Sequence, residues 1–338
     1  VPLRSMTPEG GRDRGPKVVA LGGGHGLYAT LSALRTLHEQ GKVSEITAVV
    51  TVADNGGSSG RLRQDYGVLP PGDLRMALAA LCGTDEWGQT WAEVFQHRFA
   101  GDGDLQGHAL GNLLIVGLWE RLGSHVQALE WAGRLLGAKG RVLPMACSPL
   151  DIVAQVRESV DAEAVEVRGQ VQVAKAPGEI VRLSLDPADP DPCVEALDAI
   201  RDADLVLLGP GSWYTSVLPH LLVDDVRTAL QETTARRGVL LNLVPQAGET
   251  TGFTPQDHLR VLHEHAPGLV VDHVLADRHS VSDVPELSRA VAWLGGELVM
   301  ADLRVGEDPH HDHDLLVTAL EHLVAPPRTG LGAGRASA

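Results

Sequence analysis

Apolar residues recur along this chain in two alternating rhythms. Val18-Val19-Ala20-Leu21 is an unbroken apolar run, and Leu27, Leu31, Leu34 and Leu37 then return every three or four positions. The run predicts a strand buried on both faces, and the spaced leucines predict an amphipathic helix to about Gln40. The β-branched stretch ITAVVTV at 46–52 predicts a second strand. Asp73 reads as an N-cap for a helix over 74–81, after the Pro70-Pro71-Gly72 turn. Helical spacing continues over 87–99 and 108–137, broken near Gly123-Ser124. From 141 to 185 the pattern becomes alternating or β-branched, which predicts a small antiparallel β excursion between two α/β halves. A helix at 194–201, a strand at 204–208, a helix at 221–234 and a strand at 238–243 restore the first rhythm. A helix at 255–265, strands at 269–274 and 297–303 and a helix at 314–324 complete it. The expectation is an α/β fold: a mostly parallel sheet with helices on both faces, forming one domain over 17–324. A Gly/Arg/Pro-rich arm at 1–16 is expected to be flexible, and the low-complexity tail at 325–338 disordered.

Glycine-bearing stretches follow four of the predicted strands. Gly23, Gly24, His25 and Gly26 follow the first, and Asp54, Asn55, Gly56, Ser58, Ser59, Arg61 and Arg63 the second. Gly209, Gly211, Ser212, Thr215 and Ser216 follow the strand at 204–208. A related loop at 243–252 follows the strand holding Asn242. One glycine after a strand is often only a turn. In a parallel sheet, however, all such loops emerge at the carboxyl edge, where ligands bind. Backbone N–H groups at a helix start and small hydroxyls are neutral donors suited to phosphate oxygens. Arg61, Arg63 and Arg75 are candidate sources of positive charge, or lie on a solvated face. A diphosphate-bearing nucleotide is the expected ligand. Asp54 and Asp73 are candidates for holding Mg²⁺ beside such phosphates, although capping explains Asp73 better. His25 either donates to a phosphate or fills the turn. His108 and Asn112 are either pocket donors or satisfied interior polar groups. The histidines 310, 311 and 313 sit among acids and read as a solvated surface.

Composition narrows the partners. The 338 residues are 43% hydrophobic, enough for a full core, and carry a formal net charge of −16. That charge disfavours nucleic acid and anionic membrane as general partners. The three cysteines, Cys82, Cys147 and Cys193, are scattered without a CxxC, so neither a disulfide framework nor a zinc site is implied. No apolar run reaches membrane length and no signal peptide is evident, so a cytoplasmic location is the default. A dinucleotide dehydrogenase is a weaker fit, because Leu27 stands where the fingerprint needs its third glycine. An HExxH motif is absent.

Seven segments carry a more specific resemblance: GGGHGL (22–27), VADNGGSSGRLR (52–63), PPGDLR (70–75), FQHRF (95–99), GHALGNLL (107–114), GPGSWYTSVLP (209–219) and GETTGFTPQDH (248–258). Together they resemble the gluconeogenesis-factor (YvcK-like) family, within the superfamily of the 2-phospho-L-lactate transferase (CofD-like), over about 17–324. The resemblance implies a Rossmann-like core that binds a nucleotide-sugar such as UDP-N-acetylglucosamine. The implied role is regulatory, in cell shape and cell-wall homeostasis during gluconeogenic growth, with no required cofactor and a possible homodimer. The transferase relatives imply the alternative, Mg²⁺-dependent transfer of a phospholactyl group from a guanosine nucleotide to a deazaflavin. Departures from these patterns fall at His25, where the family usually has Thr, and at Asp54-Asn55, where it has two acids. The amide removes a charge from the metal site that the transferases would use. His310-His311 stands where gluconeogenesis factors carry an Arg-His pair implicated in ligand contact, so His310 joins the expected ligand set.

Overall fold

Seven parallel strands and the helices that cover them carry the molecule. The structure, a computed structural model, describes residues 15–159, 161–246 and 248–325. The predicted arm and tail lie outside these residues, apart from Gly15, Pro16 and Ala325.

In chain order, β1 (Lys17–Gly22), α1 (Gly24–Glu39) and β2 (Glu45–Val50) form the first crossover. Five helices follow: α2 (Gly57–Tyr66), α3 (Gly72–Ala80), α4 (Glu86–Gln96), α5 (Leu110–Leu122) and α6 (His125–Leu136). After β3 (Arg141–Pro144) come β4 (Asp151–Arg157), β5 (Val165–Arg168), the short α7 (Gln170–Ala174) and β6 (Glu179–Asp186). Then α8 (Val194–Arg201) returns the chain to β7 (Leu205–Leu208), which leads into a π-helical turn (Trp213–Val217), α9 (Pro219–Leu222) and α10 (Asp224–Glu232). The last third is β8 (Arg236–Leu240), α11 (Pro255–His265), β9 (His273–Asp277), α12 (Val284–Trp293), β10 (Glu297–Ala301) and α13 (His313–Val324).

The large sheet has the order β10-β9-β8-β7-β1-β2-β3, with every pairing parallel. The chain winds outward from β1 to β3 on one side and from β7 to β10 on the other, the doubly wound Rossmann arrangement. Right-handed crossovers in opposite directions put α1 and α10 on opposite faces. Accordingly α1 packs with α3 and α13, α8 with α10, and α11 with α12. This double cover explains why β1, β2, β7 and β8 end in apolar runs rather than alternating: Val18 to Leu21, Ile46, Ala48 to Val50, Leu205 to Leu208 and Val239-Leu240 are all buried. The second sheet, β5-β4-β6, is antiparallel.

Several boundaries differ from the pattern reading. The excursion begins at β4, because 141–144 pairs parallel with β2 in the main sheet. A short β-branched run does not reveal its partner. The stretch 57–66 is helix rather than loop, although Gly57 and Gly60 weaken it; burial of Ser58, Ser59 and Leu62 outweighs that propensity. α3 begins at Gly72 behind Pro71, so Asp73 lies inside the first turn and is not its N-cap. Val223 divides the predicted 221–234 helix into α9 and α10. The strand predicted at 269–274 is β9, displaced to His273–Asp277, since Leu269 and Val271 are buried in a loop. α12 lies in a stretch where no helix was predicted.

Candidate functional site

Since all seven strands of the main sheet point the same way, the segments after β1, β2, β7 and β8 emerge along one edge. The reversal between β1 and β7 opens a crevice there. Two adjoining chambers occupy it. A polar one of about 280 Å³ is lined by the 23–26 turn, Thr51, Asp54, Asp73, Gln170, Gln246, Gly211, Ser212, Thr215 and Ser216. A wider one of about 670 Å³ has walls from His25, Tyr28, Arg35, Asn242, Leu243, Val244, Pro309, His310 and His311. His25, Gly26, Gly211 and Gln246 line both.

The turn after β1 is built to present bare backbone. Gly23 is the N-cap of α1, with no side-chain cap and no acid in the first helical turn. The first N–H groups of a helix have no partner within it and favour an anion. Gly24 has φ +58°, and a β-carbon there would meet nothing within 4 Å, so the space in front of it is open. Gly26 is glycine for a different reason: a β-carbon would collide with the Pro210 carbonyl, so this position lets α1 pack against the 209–211 turn.

Two carboxylates share the polar chamber. Asp54 accepts from the Gly56 N–H at 2.8 Å. Asp73 is raised to about 7, first by burial and then by the neighbouring Asp54 charge, while the Gly24 N–H and Arg75 pull the other way. It therefore changes charge near neutrality.

Sequence reasoning missed Glu249, the strongest polar anchor of the rim. Its carboxylate is buried (5% exposed) and accepts from Ser212 Oγ, from Thr215 Oγ1 at 2.7 Å and from the Tyr214 N–H at 3.2 Å. The hydroxyls of Ser212 and Thr215 thus fasten the loop after β8 to the turn after β7. Burial raises the Glu249 carboxyl, and these donors oppose the rise. The only signal in the sequence was an acid inside GETTGF. Asn242 closes the same joint: its amide accepts from the Gly211 N–H and donates to the Gly211 carbonyl, both at 2.9 Å.

Apart from the histidines 310, 311 and 313, which border the wide chamber, the remaining predicted residues line neither chamber. Ser58 Oγ lies 3.0 Å from His108 Nδ1 and accepts from Asn112 Nδ2 at 3.0 Å. Asn112 Oδ1 in turn accepts from Arg75 Nε at 3.0 Å. Ser58, His108, Asn112 and Arg75 are all buried, and together they join α2, α3 and α5 behind the carboxylates. Burial lowers His108 and brings Arg75 down to about 10. Arg61 donates to the Gln106 carbonyl, and Arg63 pairs with Asp151 at 2.7 Å. Asn55 accepts from the Val171 N–H at 3.0 Å and donates to Gln172 at 2.9 Å, which pins α7 to the rim. Ser59 is buried beneath Gly72, and the Gly209 carbonyl accepts from Thr30. His310 bonds to Asp308 at the mouth of the wide chamber. His311, lowered to about 4 by burial, is neutral there.

This arrangement defines a doubly wound α/β protein with a two-chambered crevice at its topological switch point. The family described as 2-phospho-L-lactate transferase CofD matches residues 18–307. A gluconeogenesis factor from Halalkalibacterium halodurans is 40% identical, with 79% of each chain covered, and one from Bacillus subtilis is 37% identical, covering 79% of this chain and 80% of the relative. A Mycobacterium leprae relative bearing the same family name reaches 50% identity over 311 residues, 90% of this chain and 85% of its own. A solved UPF0052-family structure from Bacillus halodurans superposes with a TM-score of 0.80 at 33% identity, over 92% of this chain and 98% of that one. The chain belongs to the CofD family, among its gluconeogenesis factors.

Proposed function

We propose that this protein binds a nucleotide-sugar of the UDP-N-acetylglucosamine type and acts as a regulator rather than a catalyst. The observation that carries this reading is the pairing of two unlike chambers along one crevice. The polar chamber offers an uncapped helix start and small hydroxyls, which suit a diphosphate. The wide chamber offers Tyr28, Leu243 and Val244 beside His310 and His311, which suits a flat base or a sugar. The regulatory role in cell-shape and cell-wall homeostasis during gluconeogenic growth is proposed from the family resemblance alone. Calorimetry with UDP-N-acetylglucosamine, UDP-glucose, GDP and NAD is the test. Binding of the UDP-sugars supports the reading; GDP binding without them reverses it. A protonated Asp73 relieves repulsion of the diphosphate, so affinity is expected to fall as pH rises past about 7 and to be unaffected by EDTA.

The Asp54–Asp73 pair favours a second reading, phospholactyl transfer. Mg²⁺ commonly takes one or two carboxylates and completes its shell with phosphate oxygens and waters, so this donor set fits such an ion. When bound, Mg²⁺ would neutralise charge on the transferred phosphoryl group. Asp54 and Asp73 would hold it, and the turn after β1 would orient the nucleotide. Formation of the coupled product from a lactyl-guanosine diphosphate and a deazaflavin, lost on chelation, would establish this activity. Its absence beside an active control enzyme would exclude it.

A further inference from the structure

The three cysteines are scattered in sequence, yet two of them meet in space. Cys147 follows β3 and Cys193 is the N-cap of α8. Between them lies the whole antiparallel sheet, so the chain leaves and re-enters the main domain at this point. The crossing is an antiparallel bridge of Ala146 with Pro192. Around it the Cys147 N–H donates to the Asp191 carbonyl at 2.7 Å, and the Cys193 N–H to the Met145 carbonyl at 3.4 Å. The two cysteines are thus diagonal neighbours across the bridge.

Their surroundings differ. Cys193 is fully buried, while Cys147 is half-buried. The Cys193 thiol donates to Glu195 Oε2 at 3.5 Å, and the Cys193 and His125 side chains both border Cys147. His125 opens α6 and is held edge-on against Trp119, with ring centroids 5.1 Å apart. These two neighbours lower the Cys147 thiol, against burial and the Asp191 charge; Cys193 is pushed up by its Cys147 neighbour and by burial. Among the described residues no trio of His, Cys, Asp or Glu is arranged to hold a metal.

We propose that Cys147 and Cys193 are an oxidisable thiol pair, a modification site for hydroperoxides that clamps the base of the small sheet. The Cys147 thiolate attacks one peroxide oxygen, forming an S–O bond as the O–O bond breaks. The leaving oxyanion takes a proton from His125 or water. The Cys193 sulfur then attacks the sulfenic sulfur, and the S–O bond breaks as the S–S bond forms. The released hydroxide leaves as water with the Cys193 proton. Two thiols lose two electrons in total, and hydrogen peroxide is reduced to two waters. The clamp bears on the candidate site because the sheet it closes carries α7, whose Gln170 lines the polar chamber.

The test uses the full chain. Alkylation by iodoacetamide is followed at each cysteine by peptide mass spectrometry across pH 5–9. Cys147 is expected to reach its full rate at a lower pH than an ordinary thiol and to be alkylated ahead of Cys82 and Cys193 in the acidic part of that range. His125→Ala should move that plateau upward. After treatment with hydrogen peroxide, a non-reducing digest is expected to contain the 147–193 cross-linked peptide. In Cys193→Ser, Cys147 should stop at a sulfenic acid that dimedone traps. A Cys147 rate that keeps climbing through pH 8, or an oxidised digest without the cross-link, overturns the proposal. Neither result depends on the nucleotide-sugar reading.

Discussion

At Gly24, backbone and ligand make the same demand. Its φ of +58° is costly for a branched residue, about 1–3 kcal/mol, and the open space before it is where a phosphate is expected. Gly24→Val should therefore lower the denaturation midpoint modestly and abolish UDP-sugar binding; a normal calorimetric isotherm in a folded variant would remove the phosphate from this turn. Glu249 works in the other direction, as an acid that the fold needs. Glu249→Ala leaves the buried donors on Thr215 and Tyr214, and the half-buried one on Ser212, without an acceptor, a loss of about 2–4 kcal/mol by urea unfolding, and Glu249→Gln should recover part of it. Asp73 sets a pH dependence whose sign is fixed. Its carboxyl titrates near 3.8 when unfolded and about 7 when folded, so the folded state holds the extra proton. Its contribution to stability is full below about pH 4 and declines as pH rises towards 7. Asp73→Asn should match the wild type at pH 4 and exceed it at pH 8, while His220 and His311, both lowered to about 4, titrate alike in the two proteins. Equal stability differences at the two pH values would contradict the assignment.

Among the elements, α7 and α2 owe their positions to partners rather than to propensity. α7 is five residues long and is tied to the rim by Asn55. Asn55→Ala removes both bonds at a cost of about 1 kcal/mol each. Amide exchange in α7 and β5 is expected to quicken and UDP-sugar affinity to fall about threefold to tenfold, with the large sheet unaffected. Unchanged exchange in α7 would mean that the small sheet holds itself in place. The same dependence explains what the residue pattern could not convey. GSSGRLR looks like a loop because two glycines suit one, and it becomes α2 because Ser58 finds His108 and Asn112, some fifty residues further on. RVLP reads as part of the excursion until its parallel pairing with β2 is known. The strongly periodic elements, α1 and α11, needed no such help and lie where their spacing put them.

For the molecule as a whole, a ligand that bridges both chambers touches loops from both halves of the sheet, so binding should stabilise the entire cooperative unit. At a hundredfold excess over Kd the gain is about 2.7 kcal/mol, a rise of about 5 °C in Tm for a chain of this size. A rise confined to one transition of a two-step melt would show that the halves unfold separately. No helix among the described residues is long and apolar enough to cross a membrane. Most of the order of strands and helices, the parallel character of the main sheet and the family motifs were legible in the residues, because buried runs and helical spacing are local; α2 and α12 were not. Which residues of the motifs face the crevice was not. Arg75, Ser58 and Asn112 look like ligand groups in one dimension and are joined to one another in three, whereas Gln246 looks incidental and lines the wall, and Glu249 holds that wall through Ser212 and Thr215. The meeting of Cys147 with Cys193 belongs to the same class. Local spacing determines what an element is; only the packing of distant elements determines where its polar groups find partners, because a hydrogen bond depends on position in space and not on separation along the chain.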